Sequence, residues 1–223
     1  MEDKIKLFES FLAVQWLTMI VSMLFGLKMK MKWELPYYLK IISLYVTIAG
    51  IGSVISFISF FYLPQIKASI KEFFDITIIL HLSLLTIFFH SILPKKFSRY
   101  IIAVFLISLP LTILVLVNDW ERELVSRSFV VANFSLVIMA IIYYWDLLNS
   151  EPKINIIHDS AFWVVTGIFI GMATNVVLIT LSQVILVEYD YAKYAITSVF
   201  SSFFYAVMHG FFIKAFLCFQ HSQ

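Results

Sequence analysis

Seven apolar runs of about twenty residues each, separated by short polar connections, leave this chain one class of fold. A segment of that length and composition is a membrane-spanning helix, because in lipid a single segment satisfies its own backbone only as an α-helix. Composition agrees: 61% of the 223 residues are hydrophobic and 13% are charged, against roughly a quarter charged in a soluble domain. No strand alternation and no internal repeat interrupts the pattern. The expectation is an all-α, polytopic membrane protein in which residues 1–223 form a single seven-helix transmembrane domain.

Helices are expected over residues 7–27, 37–62, 73–92, 100–117, 129–148, 162–186 and 194–219. Prolines punctuate the connections: Pro64 and Pro94 end the second and third runs, and Pro152 lies in the most hydrophilic loop. Pro110 falls inside the fourth run, where a kink is expected. Lys4 and Lys6 precede the first run, as in a signal sequence, but Trp16 lies within it and no small-x-small cleavage site follows. It is read as a retained helix.

Lysine and arginine placement sets the expected orientation. One side collects Lys4, Lys6, Lys67, Lys71, Arg122, Arg127 and Lys193. The other collects Lys28, Lys30, Lys32, Lys40, Lys95, Lys96, Arg99, Lys153 and Lys214, including both dense clusters. The amino terminus is therefore expected outside and the carboxyl terminus in the cytoplasm. Trp33, Trp120, Trp145 and Trp163 fall near run ends, where interfacial anchors belong, and Trp16 lies deeper.

Several function classes find no support. The net charge of +2 gives nucleic acid nothing to grip, so the lipid bilayer is the expected partner. A single Cys218 excludes an intrachain disulfide or a cysteine-built metal site, and a buried thiol is its plain reading. There is no Gly-x-Ser-x-Gly elbow, no His-Glu-x-x-His and no glycine-rich phosphate loop. No catalytic residue and no cofactor is assigned, and the chain is expected not to be an enzyme. Asp75, His81 and His90 share the third run, but no pair has the i, i+4 spacing of a helical metal site, and no metal is expected.

What remains are polar side chains inside apolar runs, the default place to look for function in a membrane protein. Asp75 and His81 stand on the third run, Asn133 on the fifth, Asn175 on the sixth, and Ser201 and Tyr205 on the seventh. Together they are candidates for a ligand pocket open to the outside. The plainer reading is that Asn and Ser bond between helices and fix packing, at about 0.6 kcal/mol per contact. Gly167, Gly171 and Asn175 recur every four residues, so they form one stripe suited to close helix contact.

Three further runs carry a resemblance. Tyr143-Tyr-Trp-Asp-Leu-Leu, Phe162-Trp-Val-Val-Thr-Gly-Ile and Phe211-Phe-Ile-Lys-Ala-Phe-Leu-Cys are similar to small uncharacterised seven-helix membrane proteins of Bacteroidota. Members of that group are often encoded near sensor histidine kinases. The resemblance covers the last third of the chain and implies a signalling role, with a sensor kinase or other membrane protein as partner. It supplies no site residues. The expected function is a sensory or signalling subunit acting through a partner, since no output domain is visible between the runs. The alternative is a small transporter or channel using Asp75 and His81.

Overall fold

The computed structural model describes the backbone of residues 2–32, 34–62, 67–118, 127–150, 156–185 and 191–221, and side chains within 12–31, 34–58, 76–118, 127–150, 156–181 and 199–221. Seven α-helices account for nearly all of it: α1 (Glu2–Lys32), α2 (Tyr37–Tyr62), α3 (Lys67–Ile92), α4 (Lys95–Asn118), α5 (Arg127–Asn149), α6 (Ser160–Ile185) and α7 (Tyr191–His221). A single 3-10 turn, Ile156–His158, precedes α6. Six helices are long and apolar enough to cross a membrane, and no strand occurs among the described residues. The described apolar part of α3, Ile76–Ile92, is shorter.

Most of the helices outrun the apolar segments that announce them. α1 continues through Lys28 and Lys30, and α4 begins at Lys95 instead of Tyr100. Hydropathy marks only the greasy portion of a helix, while charged flanks continue the same backbone ladder into the headgroup region. Pro94 starts α4 as a proline can, its carbonyl accepting from the amides of Phe97 and Ser98 at 2.9 and 3.0 Å. Pro110 lies inside α4, which is assigned as one continuous helix. Trp145 is exposed near the end of α5, and Trp163 is half-buried near the start of α6. Trp33 and Trp120 lie outside the described residues.

The helices pack in chain order around a ring that closes where α7 meets α1. α3 also reaches across to α5, so α4 sits outside that pair and shows lipid a broad face that includes Leu106, Ile107 and Val117. The core is apolar and central, with Leu82, Leu85, Phe88 and Phe89 of α3 packed among Leu136 and Met139 of α5 and Phe212 and Phe216 of α7.

Two glycine seams bring helices into close contact. A Cβ placed on Gly167 would lie 2.8 Å from Phe211 Cβ and 3.0 Å from the Met208 carbonyl oxygen, and one on Gly171 would lie 3.0 Å from Met208 Sδ. There α6 and α7 touch backbone to side chain, with no room for even a methyl group. At the α1–α2 contact, Cβ atoms on Gly26 and Gly50 would sit 2.8 Å from Val46 Cγ2 and 2.7 Å from Met23 Cβ. The Ser43 hydroxyl donates across that seam to the Gly26 carbonyl at 3.0 Å. Such contacts hold a bundle together where lipid and side chains are equally apolar.

The α5–α6 return is tied to its neighbours by polar bonds. Asp159 caps α6, accepting from the Ala161 amide at 2.9 Å, and its other oxygen accepts from the Tyr143 hydroxyl at 3.4 Å. Trp163 Nε1 donates to the Ile157 carbonyl at 2.7 Å, and the buried Cys218 thiol of α7 faces the same oxygen at 3.7 Å.

Candidate functional site

α7 positions the site. Ser201, Tyr205 and His209 recur every four residues, which places them one above another on a single helix face. That face looks into the ring, and each residue meets polar side chains from other helices.

The first layer gathers around His209, which is fully buried. Its Nδ1 lies 2.6 Å from the Ser22 hydroxyl of α1. Ser22 has a single hydroxyl proton, and that hydroxyl also donates to the Met19 carbonyl at 2.8 Å. The imidazole tautomer sets which of Ser22 and His209 donates in their contact. No hydrogen-bond partner reaches His209 Nε2. The Tyr45 ring of α2 stacks near His209, with centroids 6.4 Å apart and planes 16° apart. It also lies 5.1 Å from the ring of His81 on α3. His81 Nε2 is likewise buried without a partner. Phe212 closes the layer, edge-on to Tyr45 at 5.8 Å and to His209 at 5.4 Å.

The second layer lies one helical turn along α7. The Tyr205 hydroxyl faces the Asn133 amide of α5. The contact falls short of hydrogen-bonding geometry, since neither Asn133 Oδ1 nor Nδ2 has a partner although the side chain is fully buried. Thr112 of α4 has an unpartnered, buried hydroxyl. At the α6–α7 contact, Asn175 behaves differently. Its Nδ2 donates to the Gly171 carbonyl at 2.8 Å, and its Oδ1 accepts from the Ser201 hydroxyl.

The structure therefore brings together Asn175 with Ser201, and Asn133 with Tyr205, while His81 joins His209 through Tyr45. The Asp75 side chain lies outside the described residues. Gly167 and Gly171 sit at the α6–α7 seam and touch no member of the first layer beyond α7 itself. His209 has a sequence signal, the four-residue spacing with Tyr205 and Ser201. Ser22 and Tyr45 have none, since serines bond back to their own helix and a tyrosine in an apolar run looks like any other aromatic. His90, on another face of α3, is exposed and bonds Ser98 at the α3–α4 turn.

Among the described residues five buried polar atoms are left without partners: His81 Nε2, His209 Nε2, both amide atoms of Asn133, and Thr112 Oγ1. Each such atom costs about 1 to 3 kcal/mol relative to a bonded one. Chemically the arrangement offers an unpartnered ring nitrogen at His209, a donor and an acceptor at Asn133, and aromatic walls. No acidic or basic chain other than histidine stands among the described residues of either layer. No group of three or more metal-ligating side chains occurs among the described residues. The chain matches no family model, no curated protein and no solved structure.

Proposed function

We infer that this protein is a non-enzymatic sensory or signalling subunit of a bacterial cytoplasmic membrane, with its amino terminus outside and its carboxyl terminus in the cytoplasm. A small polar ligand enters the bundle interior, meets the His209–Tyr45–His81 layer and the Asn133 amide, and shifts the helices against a partner protein such as a sensor kinase. The observation that carries this reading is the set of unpartnered buried atoms on α3, α4, α5 and α7. A ligand that bonds several of them at once has different affinity for different helix arrangements, which is what coupling to a partner requires. The lysine and arginine distribution supports the orientation. The likeness of the last third of the chain to small Bacteroidota membrane proteins supports the partner class.

The test is affinity purification of the full chain in mild detergent. A stoichiometric membrane partner is expected, and its retention changes in Asn133→Leu while the bundle stays folded. Recovery of no specific partner overturns the reading.

A second reading has its own observation. His81 and His209 lie near Tyr45 in one layer, with Tyr205 and Asn133 in the next, so polar groups follow one another along the ring interior. A small transporter or channel using His81 and Asp75 would need such a column. It requires proteoliposome flux that falls in His81→Ala.

A further inference from the structure

A separate feature lies where α3 turns into α4. A cavity of about 440 Å³ opens there, lined by Lys95, Lys96, Arg99 and Tyr100. Three cations meet around one hollow, and among the described residues no carboxylate pairs with them. α4 has no Asp or Glu anywhere in Lys95–Asn118, and α3 has none in Ile76–Ile92. Asp146 stands at the same end of the neighbouring α5, but among the described residues none of the three cations pairs with a carboxylate. Lys96 lies 5.5 Å over the Phe97 ring, which leaves its ammonium free to meet an anion. Lys214, another cation at this end of the bundle, lies 5.8 Å over the Trp163 ring, away from this cavity.

The surroundings say which anion fits. Directly along α4 from Arg99 runs a lipid-facing stripe, with Ile102, Leu106, Ile107 and Leu111 between 43% and 72% exposed. The cavity thus stands at the border between the apolar band and the headgroup region, with positive charge above and an unpartnered hydrocarbon face below. A molecule matching both has a phosphate at one end and acyl chains at the other. Arg99 offers a planar fork suited to two phosphate oxygens, and the lysines add point charge. Tyr100 is half-exposed beside them, as an interfacial ring is.

We propose that this cavity binds the phosphate group of an anionic phospholipid whose acyl chains lie along the exposed face of α4. The site differs from ordinary basic-surface attraction, which depends on total charge near the bilayer and not on where the charge converges.

The experiment uses the full chain in vesicles of equal parts phosphatidylglycerol and phosphatidylcholine, extracted gently, with retained lipid counted by native mass spectrometry. Phosphatidylglycerol should be enriched on the order of tenfold. The triple variant Lys95→Gln, Lys96→Gln, Arg99→Gln should lose that preference, and Arg99→Gln alone should lose part of it. All three positions are exposed, and circular dichroism checks the fold. A control variant, Lys28→Gln, Lys30→Gln, Lys40→Gln, removes equal charge from exposed positions at the same end and should keep the preference. Equal retention of the two lipids, persistence of the preference in the triple variant, or an equal loss in the control overturns the proposal. Displacement of the lipid by inorganic phosphate alone assigns the cavity to a soluble anion and overturns the lipid source.

Discussion

Asn133 and Asn175 are the same residue in neighbouring helices, both fully buried, and they live opposite lives. Asn175 is satisfied on both ends of its amide, by the Gly171 carbonyl and the Ser201 hydroxyl. Asn133 has no bonding partner for either end. The difference lies in what stands opposite. α6 meets α7 at glycines, so the backbones approach until Asn175 reaches a hydroxyl across the gap. Asn133 instead faces Tyr205 of α7, and no glycine seam joins α5 to α7. Polarity in this bundle thus has two fates: it is consumed by packing where small residues allow close contact, and stays unpartnered at Asn133, where no such seam is present.

The largest expected effect comes from breaking the close contact that satisfies Asn175. Gly167→Val forces side-chain atoms against Phe211 Cβ and the Met208 carbonyl, neither of which can swing aside. A loss of about 3 kcal/mol is expected in reversible unfolding from detergent micelles. Asn175→Leu comes next. It leaves the Ser201 hydroxyl to find another acceptor and should cost about 1 kcal/mol in the same assay. Asn133→Leu should be the mildest, near zero or slightly stabilising, because it replaces an unpartnered amide with an apolar chain of similar size. Equal costs for the two asparagine variants would dissolve the distinction between them.

Sequence reading reached the helices easily and the site only in pieces. Apolar runs of bilayer length name a helix each, so seven segments were visible without knowing how they pack. Their ends were less visible, because Lys28, Lys30 and Lys95 continue helices that hydropathy ends early. Asn133, Asn175, His81, Ser201 and Tyr205 stood out as polar groups in greasy surroundings. Which ones meet is a property of helix rotation and ring order, and neither is written in one helix's pattern. Gly26 and Gly50 show the same limit: Gly26 follows Ser22 by four residues and Gly50 stands among Ala49, Gly52 and Ser53, and only the packing of α1 on α2 selects the two that form the seam.

α7 is the helix that seals α1 to α6, and it also carries Ser201, Tyr205 and His209. During synthesis it is the last of the seven to emerge. Until it arrives, Ser22 lacks its imidazole, Asn175 lacks its hydroxyl, and Gly167 and Gly171 present an open groove. A chain whose seventh helix fails to insert therefore exposes polar groups and an open glycine groove to lipid, which makes insertion of α7 the step that completes the bundle.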